Sequence, residues 1–167
     1  MISKTSIEKN LKLINRLYQR STSILTGEFY SKLAILELCG WIEESMDEII
    51  RNSTRRKIVQ ITNRNIIEKK SIKNNYSFTY DENFKKMLQQ VIGMCGIERI
   101  ESKFNSSKFI QLCSTLQNLK TYRDTQAHTH IKGITIRLNA PSWSIGQFNN
   151  VYEGLKDIES TLKREGF

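Results

Sequence analysis

The chain has 167 residues, 38% of them hydrophobic and 26% charged, and its 26 lysines and arginines outnumber 17 aspartates and glutamates for a formal charge of +9. That length suits one hydrophobic core and is short for two, so a single domain over 1–167 is expected. With a mean hydropathy of -0.46 and no apolar run near the ~18 residues of a membrane span, a chain that does not cross a membrane is expected; no secretory signal is visible, and a cytoplasmic protein is expected. The basic excess favours a polyanionic partner, nucleic acid first, through phosphate pairing and counterion release. The blander reading is a basic surface that only maintains solubility.

One proline and eight glycines leave few helix breakers, and apolar residues recur at spacings of three and four, so the chain reads as all-α. Ile7, Leu11, Ile14 and Leu17 predict a first helix over 5–21. A second, over 28–52, carries Phe29, Leu33, Leu36 and Gly40 with Ile35, Leu38, Ile42, Met46 and Ile49, a band wide enough for a central helix packed on two sides. Glu37, Glu43 and Glu44 read as its charged face, and Trp41 as core. In the basic, amide-rich stretch "STRRKIVQITNRNIIEKKSIKNNYSF", Ile58, Ile61, Ile66 and Ile67 anchor a third helix. A fourth is expected over 81–95, capped by Asp81 and ending near Gly93 and Gly96. A fifth, capped by Ser106 or Ser107, carries Phe109, Ile110, Leu112, Leu116 and Leu119. After a loop or short extended piece through "IKGITIRLNAPSWS", a last helix capped by Ser142 or Ser144 runs through Ile145, Phe148, Val151, Leu155, Ile158 and Leu162. The architecture is a helical bundle with a short irregular or β-like loop before its last helix. Cys39, Cys95 and Cys113, lacking C-x-x-C spacing, read as small buried hydrophobes, with no metal site expected.

Between the last two helices stands "YRDTQAHTH", with both histidines of the chain. Asp124 and His128 are four apart and share a helix face, so the carboxylate can orient the imidazole and favour its protonated form. Arg123 and His128, five apart, differ by about 140° around an ideal helix and do not share a face. A base or acid, its orienter and an anion clamp are the parts that RNA cleavage without metal requires. The ribose 2′-OH attacks the adjacent phosphate, protons must move near neutrality, and charge on the phosphoryl oxygens must be stabilised. Imidazole suits the first task and guanidinium the second. Phosphate-loop, zinc-protease, nucleophile-elbow and EF-hand motifs are absent, which leaves a nucleotide-binding helical protein as a weaker third reading. The bland reading of the histidine is a cation closing a helix at the negative end of its dipole.

The run "RDTQAH", the loop and the final amphipathic helix resemble the R-x(4–6)-H motif of HEPN domains, and the long second helix fits the all-helical plan of that family. The resemblance implies a metal-independent endoribonuclease without cofactor, of toxin or phage-defence type. It also implies a homodimer in which two motifs face one composite cleft, and possible antitoxin or defence-complex protein partners. Carried over by position, Arg123 and His128 are the catalytic pair and Asp124 the polar residue after the arginine. His130, at the longest permitted spacing, is secondary, and it stands where members paired with nucleotidyltransferase antitoxins often have a tyrosine. Inactive members exist, so a non-catalytic RNA- or protein-binding subunit is the alternative. Arg55, Arg56, Lys57 and Arg64, continued by Lys69, Lys70 and Lys73, read either as a phosphate track for RNA or as a solvated basic face. Trp143, in the loop, stacks a base or, the favoured reading, plugs the end of the bundle.

Overall fold

The computed structural model describes residues 2–55, 57–128 and 138–167, and these residues are all-α, with no strand among them. Six α-helices follow in order: α1 Thr5–Arg20, α2 Ile24–Arg55, α3 Ile61–Ile67, α4 Lys85–Glu101, α5 Ser106–His128 and α6 Pro141–Arg164. Two π-helical turns, Glu68–Ile72 and Tyr80–Phe84, flank the connection between α3 and α4.

The long helix α2 is the axis of the bundle, with α1, α4, α5 and α6 packed on it. Its inner face, Ala34, Ile35, Leu38, Ile42, Met46 and Ile49, is fully buried. It meets Ile7, Leu11 and Ile14 of α1, Leu112, Leu116 and Leu119 of α5, and Phe148, Val151, Leu155 and Ile158 of α6 in one core cluster. The apolar band predicted for α2 divides, however: Phe29, Leu33 and Leu36 face outward, as do Leu25 and, on α1, Leu13 and Leu17. The helix is packed on several sides and still keeps an apolar stripe in the open, because the helices around it leave one arc uncovered.

α5 and α6 approach closely at Gly154, where a Cβ would stand 2.7 Å from the Cβ of Leu112. Nothing larger than glycine fits there without moving one backbone. Trp41 packs edge to face on Phe148 at 5.0 Å and donates its indole N–H to the Ser3 carbonyl at 2.9 Å, so it borders the core with its polar edge satisfied.

Several local expectations are corrected. Ile61 and Ile66 are exposed and α3 buries none of its residues; the anchor is Ile72, at the end of the π turn, where one extra residue per turn rotates the following side chains onto the core. The fourth helix does not stop at Gly93: it continues to Glu101 across a kink at that glycine, whose φ of 70° is accessible without a Cβ. Its entry is organised by Thr79 and Asn83 rather than Asp81: the Asn83 side-chain oxygen accepts from both the backbone N–H and the hydroxyl of Thr79, at 3.2 and 2.7 Å. Asn105, not a serine, caps α5, its side-chain oxygen accepting the Lys108 N–H at 3.0 Å. Pro141 opens α6 at its first turn, where a missing N–H is harmless, and neither Ser142 nor Ser144 caps it. Cys95 is exposed and Cys113 only half-buried, leaving Cys39 as the buried thiol. The predicted extended piece lies for the most part outside the described residues, and Trp143 belongs to α6 rather than to a loop.

Candidate functional site

Helix α5 leaves the core at Leu119 and carries Tyr122, Arg123 and Asp124 on its last two turns, with His128 as its final residue. Arg123 is anchored on three sides. Its Nη1 donates to Oε1 of Glu43 on α2 at 2.6 Å, and its Nε and Nη2 both donate to Oδ1 of Asp124, at 3.1 and 3.0 Å. Beneath it lies the fully buried Phe78, whose ring centre is 5.0 Å from the guanidinium carbon. Only 20% of the arginine side chain is exposed, so its charge sits in partly dehydrated surroundings between two carboxylates and an aromatic plate.

Next to it, burial pushes the Cys39 thiol up to about 12 although the Arg123 charge opposes the shift. The buried Cys39 thiol is therefore held in its protonated form near neutrality. Two turns further along α2, burial raises the Asp47 carboxyl to about 6, with Arg51 opposing and Glu68, Glu43 and Glu44 adding to it. Tyr122 packs edge to face against Trp143 at 5.0 Å and ties the end of α5 to the start of α6, the plugging role.

Asp124 thus turns one oxygen to its neighbour Arg123. For His128 only the backbone falls within the described residues, and His130 lies outside them. Because α5 is continuous to His128, positions 123 and 128 project from its axis about 140° apart.

The basic stretch is dispersed among different tasks. Arg64 donates to the carbonyls of Ile58 and Arg55, at 2.6 and 3.1 Å, and closes the end of α2 as a structural clasp. Arg55 and Lys57 line a cavity of about 800 Å3 together with Lys163, and Lys57 also lies over the Phe167 ring at 4.3 Å. Lys69, Lys70 and Lys73 are exposed, Lys70 in the wall of a second cavity of about 360 Å3. Arg56 lies outside the described residues. Among the described residues no three His, Cys, Asp or Glu side chains stand together as a metal cage.

Two members of the site were not singled out from the sequence. Glu43 was read as part of a charged face, and its pairing with a residue 80 positions away leaves no local signal. Phe78 ends an amide-rich stretch, and nothing in that stretch marks it as the floor of an arginine 45 residues on.

The fold and the site together define an all-α bundle with a half-buried, carboxylate-held arginine at the end of α5. No family model, curated protein or solved structure matches the chain.

Proposed function

We propose that this protein is a metal-independent endoribonuclease of the toxin or phage-defence type, cleaving RNA by attack of a ribose 2′-OH on the adjacent phosphate. Arg123 stabilises the charge that develops on the phosphoryl oxygens, and His128 serves as general acid or base. The observation that carries this reading is Arg123 itself, held at the mouth of the bundle by Glu43 and Asp124 over Phe78, five residues before a histidine. A guanidinium fixed in partly dehydrated surroundings is preorganised for a phosphate.

The divergence of positions 123 and 128 around α5 supports a composite site, in which the arginine of one copy works with the histidine of another. The outward stripe Leu25, Phe29, Leu33 and Leu36 supports the same homodimer. It continues along one helix face through Gly40 to Glu43, so a copy covering it would lie against the arginine site. In light scattering, the wild type is expected to be a dimer and Phe29→Glu a monomer; a wild-type monomer removes the composite site.

The ion pairs of Arg123 are also the observation favouring a second reading, a non-catalytic RNA- or protein-binding subunit of a defence or toxin–antitoxin complex. An arginine compensated by two carboxylates can be structural. The two separate on incubation of wild type and His128→Ala with total RNA in excess EDTA. Cleavage by the wild type alone, leaving 2′,3′-cyclic phosphate ends, supports the nuclease; RNA left intact by both supports the binding subunit.

A further inference from the structure

The second cavity, of about 360 Å3, opens between the two π-helical turns, with the connection 73–79 as one wall and the start of α4 as the other. π turns are rare and recur at functional sites, and here two of them border one cavity. Inside its walls the polar accounting does not close. Ser71, 4% exposed, and Ser77 both line the cavity, and both have buried hydroxyl oxygens that make no hydrogen bond. Buried hydroxyls without a partner are costly and uncommon.

The rest of the lining has the chemistry of a planar heterocycle with hydrogen-bonding edges. Asn83 donates to the side-chain oxygen of Asn75 at 2.9 Å, and Asn75 donates to the Ser77 carbonyl at 2.8 Å, which fixes the wall as a rigid amide network. The amides of Asn74 and Gln90 stand exposed at its edge, carrying the paired donor and acceptor that match base edges. Tyr76 is 79% exposed at the rim, more than Phe29 at 53% or Tyr122 at 39%, and offers an aromatic face to the cavity mouth. Lys70 and Lys86 flank the opening, and the one acid in the lining, Glu82, is paired with Lys120 of α5 at 3.6 Å.

We propose that this cavity receives one unpaired base of single-stranded RNA, stacked on Tyr76 and read by the amides and hydroxyls, with the flanking phosphates on Lys70 and Lys86. A duplex cannot enter a recess of this size, whereas a splayed base can. The cavity belongs to the candidate site mechanically. Phe78, in the same connection, floors Arg123, and the Glu82–Lys120 pair ties the second π turn to α5 one turn before that arginine. In consequence the seated base selects which phosphate meets Arg123. Its link to cleavage rests on the ribonuclease reading; the binding itself does not.

The test is fluorescence anisotropy of the whole chain with labelled tetranucleotide RNAs of A, C, G and U. One base is expected to bind best, and Tyr76→Ala to weaken it roughly 5- to 150-fold while the circular dichroism stays native. Gln90→Ala changes the order of preference, and Lys70→Ala weakens all four equally and flattens the salt dependence. Equal affinity for the four bases, no RNA binding at all, or a Tyr76→Ala variant with unchanged affinity and preference overturns the proposal. Tyr76-dependent preference in a protein that cuts no RNA would leave the pocket standing and remove the nuclease; cleavage without such preference would do the reverse.

Discussion

Two arginines of this chain are held by glutamates of another helical segment, and they differ in what surrounds the pair. Arg51 of α2 meets Glu68 in a parallel fork, Nε to Oε2 at 3.1 Å and Nη2 to Oε1 at 2.9 Å, with 46% of the arginine and 34% of the glutamate side chain exposed. The hydrogen bond from Arg51 is the main reason that Glu68 is held below its ordinary value. Arg123 is 20% exposed, divides its donors between Glu43 and Asp124, and rests on Phe78. The first arrangement saturates one carboxylate and works as a solvated strut. The second holds a charge in a drier place without a matched fork, which is the condition under which an incoming phosphate competes for it. Ion pairing alone does not separate a strut from a site; the cleavage rates of variants at the two arginines do.

The largest expected effect concerns RNA cleavage. Arg123→Ala should lower the single-turnover rate about 100- to 1000-fold, in the range seen when one transition-state donor is removed, and Arg51→Ala should change it little. Equal losses in the two variants would mean that the rate follows stability and not the site. Next in size, Gly154→Ala should destabilise the fold by about 1–3 kcal/mol in urea denaturation, because the new methyl meets the Leu112 Cβ and overpacks the α5–α6 contact. It should disturb Arg123, carried by α5, and spare the Arg51 strut. An unchanged midpoint would show that the two helices can separate freely.

Smaller still, Glu43→Ala should cost about 1 kcal/mol and Glu68→Ala about half of that, since both pairs are partly exposed but only the first leaves a cation in dry surroundings. Identical costs would make Arg123 a second strut. A further effect, set apart by its pH dependence, lies at Asp47, on the same face of α2 between Glu43 and Arg51. Its folded carboxyl titrates near 6 against an ordinary 3.8, chiefly through burial. The folded state therefore holds this proton more tightly than the unfolded state, and the Asp47 contribution to stability falls as pH rises from about 4 to about 6. Asp47→Asn should raise the melting temperature at pH 7 and leave it unchanged at pH 3.5. A lower melting temperature at pH 7 would mean that Arg51 outweighs the burial.

Much of the helix plan was legible because a 3.6-residue period survives in any window of a dozen residues. Ile7, Leu11 and Ile14, like Leu112, Leu116 and Leu119, are buried as their spacing requires. Periodicity failed where a helix changes type. The π turn at Glu68–Ile72 exchanges Ile66 for Ile72 as the anchor, and the kink at Gly93 lets α4 continue where a stop was expected. It also gave no way to tell the inner face of α2 from the stripe of Phe29, Leu33 and Leu36, since both are apolar at helical spacing. Of the candidate site, the position of Arg123 and Asp124 near the end of a helix was readable from the apolar spacing before them. Glu43, Phe78 and the cavity between the π turns were not, since each acts through residues distant in the chain.

By itself the sequence determined an all-α chain with a formal charge of +9, the approximate course of its long helices and the place of Arg123 near the end of one of them. Composition and period are local properties, and helix formation responds to them locally. Only the tertiary structure decided which apolar face of α2 stays open, which carboxylates hold Arg123, and that Ser71 and Ser77 share the wall of one recess. Those outcomes depend on contacts between residues far apart in the chain, and such contacts are set by how the helices pack.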